Sequence, residues 1–235
     1  MRITRSLIAA LAIILAGCGS QEDVSPSFED RIPLGLELKA ADKLLAWGES
    51  TTLTGRLTQE GDTLAGETVV LEADPYPFAR DYAELDSVAT DDKGRFEFET
   101  QPDANTAFRV ASGDLSETTS REVRVYVDPR TEVQTEPAGN GTRFTTVFHH
   151  PDERSIQGSN VFSYAATAAD AEATGKLRFI QVDRVEQKRL GLSTAAITLP
   201  FAPEQVRHSA CYSYTPSSGM GAPNANCVQS EIPAE

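Results

Sequence analysis

Residues able to do chemistry are few in this 235-residue chain, and they are widely spaced. His149, His150 and His208 are its only near-neutral bases. His149 and His150 are adjacent, and adjacent residues of a strand point to opposite faces. A chelate shared by both would need the strand to end at Pro151. Two exposed or partly packed histidines is the simpler reading. No serine lies in a Gly-x-Ser-x-Gly elbow, and Gly191-Leu192-Ser193-Thr194-Ala195 lacks the final glycine. Phosphate-cradling glycine loops, His-Glu-x-x-His and Cys-x-x-Cys are all absent from the sequence. Carboxylates are plentiful: Asp81, Glu84 and Asp86 form one group, Asp91 and Asp92 open a turn, and Asp128 and Glu132 flank a proline. Calcium favours several oxygen ligands, but these spacings depart from the EF-hand loop. A solvated acidic surface explains them with less, so no metal or other cofactor is assigned. Paired carboxylates keep a hydrolase open as an alternative to the expected non-catalytic protein.

One loop invites a binding role. In Asp74-Pro75-Tyr76-Pro77-Phe78, two prolines restrict the backbone. Tyr76, Pro77 and Phe78 could then present a rigid aromatic surface to a sugar ring or a protein partner. The competing arrangement folds both rings back onto the body of the domain. Trp47 has the same two options, with core or edge packing expected.

The amino terminus is the most specific segment. Arg2 and Arg5 precede ten apolar residues, Leu7 to Ala16, and then small residues. A basic head, a short apolar run and a small-residue cleavage point make a secretory signal over residues 1–17. A bilayer span needs about 20 apolar residues. Leu15-Ala16-Gly17-Cys18 resembles the lipobox of bacterial lipoproteins. The resemblance implies cleavage before Cys18, diacylation of its thiol and acylation, typically by palmitate, of the new amino terminus. It also implies a lipid anchor in the cell envelope. Gly19 stands where an aspartate would retain the protein in the inner membrane. The expected location is therefore the outer membrane of a two-membrane host, or the outer face of a single membrane.

With Cys18 assigned to lipid, Cys211 and Cys227 remain. Exported compartments allow disulfides to persist, so a Cys211–Cys227 bridge is expected. A metal site of His208, Cys211 and Cys227 is the alternative, and it has only three obvious ligands. The formal charge of −14 becomes −16 once Arg2 and Arg5 are removed. Such a chain repels phosphate backbones, which argues against nucleic acid. Anionic head groups repel it too, leaving membrane contact to the lipid.

These residues must be positioned by strands. Residues 18–31 are polar, acidic and aperiodic, and read as a tether. At about 5–6 Å × √n they would hold the next domain about 20 Å from the membrane. From Ile32 the pattern has period two. Leu34, Leu36 and Leu38 alternate with polar residues or glycine, as do Phe96 and Phe98, and Val123, Val125 and Val127. Strict alternation marks half-buried strands, and the Gly61 and Gly94 turns between them argue for a β-sandwich. Trp47 to Leu57 resembles the start of bacterial immunoglobulin-like domains. Thr90 to Phe98 is similar to the hairpin these share with carboxypeptidase regulatory-like modules. The resemblance implies an immunoglobulin-like sandwich over 32–130. It departs from antibody domains in having no inter-sheet disulfide and no tyrosine corner.

Asp128 to Glu132 is the expected boundary. Beyond it, over 131–235, strands are predicted at 143–149, 161–166, 176–185, 193–199 and 207–214. Alanine-rich 165–173 could instead form a turn of helix. The fold class is therefore all-β, with tandem immunoglobulin-like sandwiches. The expected function is a binding or structural envelope module that contacts another envelope protein or a wall polysaccharide. An accessory subunit that positions an enzyme or transporter is the second reading.

Overall fold

Period-two alternation organises both halves of the chain. The computed structural model describes residues 34–113, 118–202, 205–213, 218–222 and 226–229. The expected signal peptide, Cys18 and the expected tether lie outside the described residues. The first half contains β1 (Leu34–Ala40), β2 (Leu44–Ala46), β3 (Thr51–Gln59), β4 (Asp62–Thr63), β5 (Thr68–Pro75), β6 (Ala83–Ala89), β7 (Arg95–Thr100), β8 (Thr106–Ser112) and β9 (Val123–Asp128). β3 pairs with β1, β4 and β7, while the second sheet runs β2-β9-β8-β5-β6. The β2–β9 pairing is parallel and joins Leu44–Ala46 to Tyr126–Asp128.

The inward rows meet in one core that includes Leu53, Leu57, Val69, Leu71, Phe96, Phe98, Phe108, Val110 and Val125. Burying each of these large side chains contributes about 1.5–3 kcal/mol, which packs the sheets without a covalent tie. Gly55 sits among them for a steric reason. A Cβ there would lie 2.6 Å from Cε2 of Phe96, whose ring crosses the strand at that point.

The second half contains β10 (Arg130–Ala138), β11 (Gly141–His149), β12 (Asn160–Thr167), α1 (Ala168–Thr174), β13 (Arg178–Arg184), β14 (Glu186–Arg189), β15 (Leu192–Leu199), β16 (Val206–Ser213) and β17 (Asn226–Gln229). Its sheets run β10-β11-β15-β14 and β13-β12-β16-β17. The molecule is thus an all-β sandwich protein with one short helix among the described residues. The five strands predicted beyond residue 140 all form, within two residues at either end. The alanine-rich stretch divides: β12 runs through Thr167, and α1 follows. Thr167 Oγ1 accepts the Asp170 N–H at 3.1 Å to start the helix. Gly175, at φ +64°, ends it by donating its N–H to the Ala171 carbonyl. β10, β14 and β17 carry no readable alternation, and all three lie at sheet edges. β10 has Val133 and Ala138 as its only aliphatic residues apart from Pro137.

The two sandwiches share apolar packing. Val127 of β9 belongs to the cluster of Phe148, Ile156, Val161, Ala210, Tyr212 and Met220, and Trp47 packs against it. Trp47 therefore faces the second sandwich, with its indole N–H reaching Asp103 Oδ1 at 3.2 Å.

Candidate functional site

The Pro75–Tyr82 loop leaves β5 at the end of the first sandwich. The Tyr76–Pro77 peptide bond is cis, and Phe78 and Arg80 adopt φ of +62° and +63°. Non-glycine residues rarely occupy this region, so the loop needs anchors. Asp74, buried beneath it, accepts the Arg80 N–H at 2.9 Å, and Phe78 donates its N–H to the Pro75 carbonyl. Tyr76 and Phe78 pack edge to face with centroids 5.7 Å apart. The Arg124 guanidinium lies 5.0 Å from the Phe78 centroid. A Cβ on Gly219 would lie 2.6 Å from the Tyr76 ring, so this ring abuts the loop from the second sandwich. Tyr76 and Phe78 are half-buried, and Pro77 is the exposed member of the three.

A charged lattice continues from this loop across the outward rows of β5, β8 and β9. Arg109 Nε donates to Glu72 Oε2 at 2.6 Å, and its guanidinium lies 4.0 Å from the Tyr82 centroid. The Tyr82 hydroxyl donates to Glu122 Oε2 at 2.8 Å, and Arg124 Nε donates to Glu122 Oε1 at 2.5 Å. Burial and then the Glu122 carboxylate push the Tyr82 phenol up to about 12. The Tyr82 hydrogen bond holds Glu122 below the usual carboxylate range, with Arg124 acting in the same sense.

The junction between the sandwiches centres on Asn105. Its Nδ2 donates to the Gly221 carbonyl at 2.9 Å, and its Oδ1 accepts the Val127 N–H at 2.8 Å. Its backbone N–H reaches the Gly219 carbonyl, and Gly221 donates to the Val127 carbonyl. Asp128 is buried next to this set. Asn226 Nδ2 donates to Asp128 Oδ2, while Oδ1 has no hydrogen-bond partner. Burial pushes its carboxyl up to about 6, and the Ala222 N–H offsets only part of that.

The histidines are used structurally. His150 is fully buried, with Nδ1 3.0 Å from the Pro151 carbonyl and Nε2 3.0 Å from Ser193 Oγ. A carbonyl can only accept, so Nδ1 carries the proton and Nε2 accepts from the hydroxyl. The pair has the connectivity of a base and a nucleophile, yet both side chains are sealed at 0% exposure. His149 faces the other way, 3.8 Å from Glu132. His208 is buried and stacked on Phe144 at 4.8 Å, and desolvation lowers its pKa to about 4.

Cys211 and Cys227 form a disulfide between directly paired residues of β16 and β17. This overturns the metal alternative. The thiols are consumed, and His208, on the inward row of β16, points away from Cys211 on the outward row. Among the described residues no three His, Cys, Asp or Glu side chains converge closely enough to hold an ion. Asp91, considered above for calcium, instead closes its turn. Its Oδ1 accepts the Lys93 and Arg95 N–H groups, and those bonds lower its pKa.

β13 is the strand predicted at 176–185, but sequence reasoning did not single out its exposed apolar side chains. This edge strand, Arg-Phe-Ile-Gln-Val-Asp-Arg, exposes Phe179 (55%), Ile180 (44%) and Val182 (47%). Phe179 and Val182 lie over the outward row of β12, where Tyr164 meets Phe179 edge to face at 5.8 Å. The register shift between Ser163 and Tyr164 leaves Ile180 without a paired residue on β12. The signal was available: apolar residues on both parities of a strand that also carries arginines cannot all be buried.

No protein-family model matches the chain, and no curated protein matches it. Solved structures offer distant likenesses. The native conformation of Escherichia coli alpha-2-macroglobulin is 14% identical with a TM-score of 0.33, over 85% of this chain and 14% of that one. The adhesin InvE of Yersinia pseudotuberculosis is 13% identical with a TM-score of 0.36, over 85% and 60%. A DUF4785 family protein of Legionella pneumophila is 10% identical with a TM-score of 0.40, over 82% and 57%. The chain spans less than two thirds of each of these proteins. No helix among the described residues is long and apolar enough to cross a membrane.

Proposed function

We propose that the protein is a non-catalytic, lipid-anchored envelope module that binds another envelope protein or a wall polymer. The anchor rests on Leu15-Ala16-Gly17-Cys18 and the apolar run before it. The binding role rests on one observation: three of the seven large apolar side chains exposed among the described residues lie on β13. Solvent-exposed apolar side chains concentrated on a sheet edge are costly unless something covers them. The reactive groups support the non-catalytic part, since His150, Ser193 and His208 are buried and the β16–β17 cysteines are bridged.

The test has two parts. Cys18→Ser should release the protein from the membrane fraction and change its mass by the missing acyl groups. Unchanged retention and mass would remove the anchor. Photoreactive residues placed singly at Phe179, Val182 and Pro77 in the anchored protein should crosslink one reproducible protein or glycan band. If no position yields a band in cells, the binding role is wrong. If the captured protein is an enzyme or transporter, the role narrows to that of an accessory subunit.

A further inference from the structure

A cleft of about 430 Å³ opens at one end of the second sandwich. Its apolar lining includes Ile180, Leu199, Phe201 and Val206, drawn from both sheets and the turn after β15. Leu199 and Val206 are buried, while Ile180 and Phe201 remain 44% and 39% exposed at its mouth. Lys176 and Arg178 line the same cleft and are exposed. Neither is ion-paired among the described residues. Among the described residues, Asp170 near the start of α1 is the one carboxylate in the lining. The size falls within the range of small-molecule sites, about 300–1,000 Å³, which combine apolar walls with a few polar groups.

From this geometry we infer a binding site for a single-chain anionic amphiphile. The apolar tail occupies the gap between the sheets, and the carboxylate or phosphate head sits against Lys176 and Arg178. Charge complementarity selects this occupant. The chain carries a net charge of −14, so long-range electrostatics disfavour any anion. Lys176 and Arg178, without ion-pair partners among the described residues, reverse that preference locally at the apolar mouth. Two copies could also meet through this end, but their net charges repel and the two pairs of cations would face each other. Of the exposed β13 side chains only Ile180 lines this cleft; Phe179 and Val182 lie opposite Tyr164 and Phe162 of β12.

Calorimetry on the full chain carrying Cys18→Ser, which avoids detergent, tests it. The probes are dodecanoate, dodecyl phosphate and dodecyltrimethylammonium, each below its micelle concentration. The two anions should bind at one saturable site, and the cation at least tenfold more weakly. Lys176→Glu with Arg178→Glu should weaken anion binding tenfold or more. Ile180→Asp, at an exposed position, should abolish it with the melting temperature little changed. Equal binding of the cationic probe, indifference to the charge reversal, or non-saturating heats would overturn the site. A dimer in sedimentation that dissociates on Ile180→Asp would also overturn it, by making the cleft a contact between copies. If dodecyl phosphate binds and dodecanoate does not, the head group is phosphate; the reverse result assigns carboxylate.

Discussion

Asp128 and His208 pull stability in opposite directions over the same pH range. The folded Asp128 takes its proton at about pH 6, while an unfolded aspartate takes it near 3.8. Between those values the folded state holds more protons, so acidification stabilises the fold, and this contribution is lost as pH rises through 6. His208 does the reverse. It resists protonation to about pH 4 while the unfolded histidine protonates near 6.5, so its contribution is present above 6.5 and lost as pH falls through 4. Wild-type stability should therefore vary little between pH 6 and pH 4 as far as these two groups are concerned. Asp128→Asn should be more stable above pH 6, by on the order of 2 kcal/mol. It should then lose stability steadily down to pH 4, because His208 acts alone. Urea midpoints at four pH values check this, and parallel profiles for the two proteins would refute the assignment. Neither group was identifiable from the sequence. In the sequence Asp128 is one carboxylate at a domain boundary, and nothing near it in the chain says that Asn226, 98 residues on, will bond its carboxylate.

At the scale of elements, alternation made most of the fold legible. Leu34 to Leu38, Phe96 to Phe98 and Val123 to Val127 declare their faces, because each strand has one wet side. Where both sides are wet the signal fails, as in β10 and β17, which owe their places to neighbours. β17 is four residues long and is held through the Cys211–Cys227 pair. In the chain-entropy model a loop of about 15 residues closed by a disulfide contributes about 3 kcal/mol. Replacing both cysteines by serine should cost about that much and expose the β17 amides to hydrogen exchange first. Protection of β17 unchanged from wild type would show that its pairing is self-sufficient. The aromatic loop lay between these extremes. Its prolines and aromatics are legible, but the ledge that seats it is built from Glu72 of β5, Arg109 of β8 and Glu122 just before β9, far apart in the chain.

For the whole molecule, the two sandwiches are joined by more than Pro129. Val127 and Trp47 pack into the cluster around Phe148, Tyr212 and Met220, and Asn105 ties Val127 to Gly219 and Gly221. Separated pieces would expose the apolar surface of Val127 and Trp47 and give up the Asn105 bonds to Gly219 and Gly221, each worth about 0.5–1.5 kcal/mol net. A chain ending after Pro129 should therefore melt well below the intact protein, and protease should cut it close to Asn105. Equal resistance to cutting would mean that the first sandwich stands alone. The same contact has a consequence for biogenesis. The ribosome makes the chain amino terminus first, and Asn105 emerges 116 residues before Gly221. Until Gly219 and Gly221 are made, the Asn105 backbone N–H, its Nδ2 and the Val127 carbonyl have only water, while the Val127 N–H to Asn105 Oδ1 bond can already form within the first sandwich. This junction therefore stays open until Gly221 has been made, and a chaperone has that interval in which to hold the exposed end.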